Sequence, residues 1–149
     1  MKKTTAFWDA SALVPLCVQE AASLRARSCL RNFTPVVWWV SLVEIQSAIW
    51  RMQRERNLTE ADKLSALARL RILSAGWREI LPVDQVRELA GRLLETYALR
   101  AADSMQLAGS LIWCEQRPKR KTFICGDRRL AEAADDAGFS VINLRGDLL

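Results

Sequence analysis

The sequence predicts an α/β fold: a single domain built on a mainly parallel five-stranded sheet flanked by helices, with a helical hairpin over 41–75. Three observations carry this. Five short strand-like runs alternate with stretches of helical period. No repeat, linker or low-complexity segment divides the chain. Its 149 residues are the length of one domain, enough to bury roughly 70% of the unfolded surface.

The elements follow in order. Residues 4–9 form a first strand that ends on a carboxylate, Asp9. A helix is expected over 11–31, broken after Pro15. "PVVWWVS" (35–41) is a second strand. "SLVEIQSAIWRMQRER" (41–56) and "TEADKLSALARLRILSA" (59–75) are the two arms of the hairpin. "WREILPV" (77–83) is a third strand, after which Asp84 caps a helix running through Tyr97. The stretch 100–116 is apolar nearly all round, which marks a buried helix. "KTFICG" (121–126), a helix over 127–138 closed by Gly138, and "FSVINL" (139–144) complete the pattern.

Composition excludes several chemistries. The chain has no histidine, so Ser-His-Asp triads, Cys-His pairs and histidine acid/base ribonuclease mechanisms are absent. Its four cysteines, Cys17, Cys29, Cys114 and Cys125, form no CxxC pair and lie in apolar stretches, as buried thiols do. The first residues briefly resemble a lipoprotein leader, with two lysines and then Cys17. Asp9 interrupts the apolar stretch, however, and bulky Leu16 stands where cleavage wants a small residue. No apolar run approaches the ~20 residues that span a bilayer. A cytoplasmic protein is expected. Basic residues outnumber acidic ones 22 to 17, a balance that suits a phosphate-rich partner.

Four carboxylates stand at informative places. Asp9 and Asp127 each follow a strand, and each could cap the next helix. Ser41-x-x-Glu44 has the form of a capping box. Asp103 lies early in the buried helix, where the helix dipole favours an acid by ~0.3–1 kcal/mol. The individual readings leave a coincidence, which disappears if the first and fourth strands are neighbours. Asp9 and Asp127 then flank the crevice at a topological switch point, and Glu44 opens on the same edge. Carboxylates converging within ~4–6 Å would repel by several kcal/mol per pair at an effective dielectric near 20. Cations would relieve that repulsion, and oxygen-only donors select Mg²⁺ or Mn²⁺. Asp9 is therefore read as a metal ligand ahead of a helix cap.

"FWDASALV", "SLVEIQSAIWR", "LRAADSMQLA" and "TFICGDRRLAEAA" resemble, in order and spacing, the four acidic motifs of PIN-domain nucleases. The likeness runs from residue 5 to about 144 and is nearest to VapC-type toxins of bacterial toxin–antitoxin pairs. The resemblance implies a Mg²⁺- or Mn²⁺-dependent endoribonuclease, a cognate antitoxin and a homodimer. By motif, Asp9, Glu44, Asp103 and Asp127 match the acidic residues, with metal held chiefly by Asp9 and Asp103. Ser11 matches an accompanying hydroxyl, expected either to bond Asp9 or a metal-bound water or to act as a helix N-cap. Many relatives carry histidine where this chain has Gln106.

Three arginines are candidates for gripping RNA. Arg51 shares a helix face with Glu44, although pairing with Glu55 would make it an ordinary solvated residue. Arg100 and Arg128 stand beside Asp103 and Asp127. Of the six tryptophans, Trp8, Trp38 and Trp113 fall in core elements. Trp39 and Trp50 are also read as core, with base stacking or a partner interface as the alternative. Leu13, Val14, Leu16 and Val18, with Ile45, Ala48, Ile49 and Met52, are read as surplus apolar surface for association. Two other functions compete: an aspartyl-phosphate phosphohydrolase, and a PIN-like domain that only binds RNA or protein. The first wants a second acid two residues after the nucleophile, where Ser11 stands.

Overall fold

Alternating apolar side chains on the central strands divide the interior into two cores. The computed structural model describes residues 3–146. Strand β1 (Thr4–Trp8) sends Ala6 and Trp8 to one face and Phe7 to the other; β2 (Phe33–Trp38) sends Val37 one way and Val36 and Trp38 the other. The first core packs against α1 (Ala10–Cys17), α2 (Ser23–Asn32), α3 (Ser41–Arg54) and α4 (Glu60–Gly76). The second lies under α5 (Asp84–Thr96), α6 (Ala101–Trp113) and α7 (Arg128–Ala137). The result is a three-layer α/β/α arrangement.

Among the described residues the sheet has five strands in the order β3-β2-β1-β4-β5, completed by β3 (Arg78–Ile80), β4 (Thr122–Cys125) and β5 (Ser140–Asn143). Every pairing is parallel, with Phe7 opposite both Val36 and Phe123. The chain winds outward from β1 to β3 on one side, then crosses to β4 and winds outward again. Because parallel crossovers keep one hand, this reversal puts the two helix sets on opposite faces and opens a crevice beyond the ends of β1 and β4. The expected adjacency of the first and fourth strands is present, as are the single PIN-like α/β architecture and the hairpin of α3 and α4.

Several boundaries differ from expectation. The helix expected over 11–31 is two helices, and the break falls at 18–22 rather than after Pro15. Pro15 sits inside α1, where its missing N–H leaves the Ser11 carbonyl without its helical donor. Ser23 organises the real break: its hydroxyl donates to the Val18 carbonyl and accepts from the Glu20 N–H. Strand β2 begins at Phe33, and β3 covers only three residues. Asp84 lies in the first turn of α5, with Val83 as the flanking residue, so it is not the cap. Helix α6 stops at Trp113, three residues short of the expected end. Gly138 closes α7 as expected, at φ 116°, a left-handed conformation that suits glycine.

Leu13, Val14, Val18, Ile45, Ala48 and Ile49 are buried in the first core, so they are not surplus surface. Four helices on that face cover what one or two could not. Exposed apolar groups lie elsewhere and include Leu24, Trp39, Val43, Trp50, Leu64 and Ile72. All four cysteines are free thiols, with Cys17, Cys114 and Cys125 buried and Cys29 half-buried. No helix among the described residues is long and apolar enough to cross a membrane.

Candidate active site

The junction between β1 and α1 is tied directly to β4. The Asp9 N–H donates to the Ile124 carbonyl at 2.9 Å, carrying the β1–β4 pairing to its last residue. The Asp9 side chain caps α1 by accepting the Ser11 N–H at 3.1 Å, and it also accepts the Ser11 hydroxyl. Ser11 Oγ in turn accepts the Gly126 N–H at 2.8 Å. One hydroxyl thus fastens the loop after β1 to the loop after β4. Gly126 permits this approach, since a Cβ there would lie 3.1 Å from the Ser11 carbonyl oxygen. Of the two expectations for Ser11, bonding to Asp9 is realised; the helix cap is Asp9 itself. Burial pushes the Asp9 carboxyl up to about 6, helped by Asp103 and Asp127 and opposed by the Ser11 hydrogen bonds.

Glu44 projects from the first turn of α3. Burial, then the charges of Asp9 and Asp103, push its carboxyl up to about 7 against a hydrogen bond from Gln106. The expected capping box is absent. Val40 flanks the helix without a side-chain cap, and Ser41 lies within the helix and is buried. Its hydroxyl instead accepts from Gln106 Nε2 at 2.9 Å. Gln106 Nε2 also donates to Glu44 Oε1 at 2.9 Å. The side chain of Gln106, on α6, is fully buried, and its Oε1 has no hydrogen-bond partner.

Asp103 lies in the first turn of α6. Burial and Asp127 raise its pKa, while Arg100 and Arg129 pull it down. Asp127 caps α7, accepting the Arg129 N–H at 3.0 Å. The four acids thus come from four segments: Asp9 feels Asp103 and Asp127, Glu44 feels Asp9 and Asp103, and Asp103 feels Asp127. Each capping reading for Asp9 and Asp127 is also true. The same geometry that caps a helix aims a carboxylate at the crevice.

Among the described residues no three such side chains stand close enough together to enclose an ion. The donor chemistry nonetheless fits a hard cation. Mg²⁺ usually keeps several waters and takes one or two protein carboxylates rather than a complete protein cage. Asp9 and its coupled neighbours supply that number.

The arginines divide. Arg51 lines a cavity of about 330 Å³ together with Ser11, Glu44 and Arg145; no Arg51–Glu55 ion pair forms among the described residues. Arg145 stands just past β5 and pairs with Glu20 at 3.3 Å. Sequence reasoning missed it, although residues following a strand on this edge are the ones the strand-end rule would search. Arg100 flanks α6 and acts on Asp103 as expected. Arg128 pairs with Glu132 at 3.2 Å and lines a separate cavity against β5. Its neighbour Arg129, also missed, is the one whose charge reaches Asp103. Trp8 and Trp38 are buried and Trp113 is half-buried. Trp39 and Trp50 are 49% and 41% exposed, so they are not core residues. The ammonium of Lys63 sits over the Trp50 ring at 4.4 Å.

No family model and no curated protein matches this sequence. Solved structures do match in three dimensions. PAE2754 from Pyrobaculum aerophilum superposes with a TM-score of 0.60 at 18% identity, over 95% of this chain and 90% of that one. A toxin–antitoxin complex from Klebsiella pneumoniae gives 0.63 at 16%, over 94% and 98%. FitAcB from Neisseria gonorrhoeae gives 0.63 at 14%, over 95% and 99%. The likeness is one of fold, and it extends across nearly the whole of each chain.

Proposed function

We propose that this chain is a metal-dependent endoribonuclease and the toxin of a toxin–antitoxin pair. The observation that carries the reading is the coupling of four acids at one sheet edge: burial and neighbouring charge, that of Asp127 included, disfavour the ionised forms of Asp9, Glu44 and Asp103. A divalent cation would reverse that preference. The fold likeness to a toxin–antitoxin complex supports the choice of family.

Asp9 and Asp103 are the proposed principal holders of Mg²⁺ or Mn²⁺, with Glu44 and Asp127 completing the charge balance. When bound, such an ion supplies a water of lowered pKa and a charge opposite the phosphodiester. The protein's own groups do the rest. Ser11 fixes the Asp9 carboxylate, and Gln106 fixes that of Glu44. Arg51 and Arg145 on one flank, with Arg100 and Arg129 on the other, hold the strand's phosphates across the crevice.

Incubation of purified protein with RNA in Mg²⁺, Mn²⁺ or EDTA tests the nuclease reading. Cleavage that requires the ion supports it. The toxin reading has a separate test: the product of an adjacent small gene should bind and silence the enzyme. The exposed apolar groups around Trp39, Val43 and Trp50 offer surface for that partner or for a homodimer. A cytoplasmic location belongs to the same proposal.

A further inference from the structure

One face of α7 lines a cavity of about 570 Å³, and one of its lining residues, Arg129, is a cation whose charge reaches Asp103. Arg129, Glu132, Ala133 and Asp136 stand at helical positions i, i+3, i+4 and i+7, so they form one stripe. Tyr97 and Leu99, from the loop between α5 and α6, form the opposite wall. Both walls lead to candidate catalytic acids: Asp127 caps α7, and the loop runs into the turn that carries Asp103.

The lining is polarised. Arg129 is at the end nearest the carboxylates and acts on Asp103. Asp136 is two helical turns away, about 10 Å along the axis. Between them, buried Ala133 leaves room where a larger side chain would fill the space. The Tyr97 hydroxyl donates to Asp136 Oδ2 at 2.9 Å, which fixes that carboxylate; among the described residues Asp136 Oδ1 accepts no hydrogen bond. A cavity of this size accommodates a nucleotide.

We propose that this cavity is a base-recognition subsite for the nucleotide next to the cleaved phosphodiester, with guanine as its preferred base. The proposal rests on the ribonuclease reading above. Arg129 takes the phosphate, the Tyr97 ring provides a stacking face, and Asp136 accepts hydrogen bonds from the base edge. Guanine alone presents two adjacent donors there, N1–H and the N2 amino group. Uracil presents one N–H between two carbonyls, which a carboxylate repels. A cationic guest, such as an arginine from a protein partner, would meet Arg129 at the entrance.

The test is binding of short oligoribonucleotides differing only at one central base, measured by fluorescence anisotropy on the Asp9→Asn protein, which also prevents cleavage. The expected order is guanosine above inosine above uridine, with roughly tenfold lost when the N2 amino group is removed. Asp136→Asn should abolish the preference for guanosine over inosine. Tyr97→Phe should weaken that preference while keeping the stacking face, and Arg129→Ala should lower affinity for every sequence alike. Absence of base preference, absence of RNA binding, or a preference that survives Asp136→Asn overturns the subsite. Absence of ion-dependent RNA cleavage by the wild-type protein would instead overturn the nuclease reading, so the two failures are distinguishable.

Discussion

Gln106 Nε2 reaches Glu44 Oε1 at 2.9 Å across 62 positions of sequence, joining α6 to α3 inside the candidate site. The same nitrogen holds Ser41. Gln106→Leu keeps the approximate volume and deletes both bonds. The variant removes the unpaired Gln106 Oε1 but leaves the buried Ser41 hydroxyl and the Glu44 carboxyl without their donor, so stability should fall by about 1–3 kcal/mol. Mn²⁺ affinity, measured by titration calorimetry, should fall by roughly 10–100-fold, the usual consequence of freeing a ligand from its support.

Stability of the metal-free protein should fall as pH rises. Burial raises the folded pKa values of Asp9 and Glu44 to about 6 and about 7, from ordinary values of 3.8 and 4.5. The folded state therefore holds protons that the unfolded state has released. The contribution is complete below about pH 4 and is lost as pH rises through 6 and 7. Thermal melts in EDTA should show Tm decreasing from pH 5 to pH 8, with Mg²⁺ restoring it at the upper end. Asp9→Asn should flatten the profile and stabilise the apoprotein at pH 8, by on the order of 2 kcal/mol for this buried group.

Ser11→Ala removes the hydroxyl that joins Asp9 to the Gly126 N–H. The half-buried N–H loses its acceptor, a cost of about 1–3 kcal/mol, readable in urea denaturation. Because the Ser11 hydroxyl bond also lowers the Asp9 pKa, carboxyl NMR should find Asp9 titrating higher in the variant.

Arg51→Ala should weaken RNA binding without altering sequence preference. The slope of log affinity against log salt should become shallower by up to about one unit. An unchanged slope would make Arg51 a solvated residue that merely borders the Glu44 cavity.

The order of elements was legible because strand alternation and helix periodicity agree along this chain, and because the acids at 9 and 127 made sense only if β1 and β4 were neighbours. The four acids were legible for the same reason: each follows a strand or opens a helix. What was hidden depended on three-dimensional packing. Ser41-x-x-Glu44 matches a capping box, but a buried Gln106 competes for both side chains and wins. Pro15 looked like a helix breaker, yet Ser23 sets the break. Arg128 and Arg129 are equivalent in sequence, and only the phase of α7 sends one toward Glu132 and the other toward Asp103. Val14 and Ile49 looked like surplus surface because a linear pattern does not reveal that four helices share one sheet face.

Whether these carboxylates hold a catalytic cation is decided by one comparison. Wild type, Asp9→Asn, Asp103→Asn and Glu44→Gln should be assayed together for RNA cleavage in Mg²⁺ and in EDTA, with circular dichroism to verify folding. Ion-dependent cleavage is expected of wild type and none of Asp9→Asn or Asp103→Asn, both remaining folded. Glu44→Gln should lose most of the cleavage without a matching loss of stability. Wild-type cleavage retained by folded Asp9→Asn and Asp103→Asn proteins would contradict a catalytic cation held by these carboxylates.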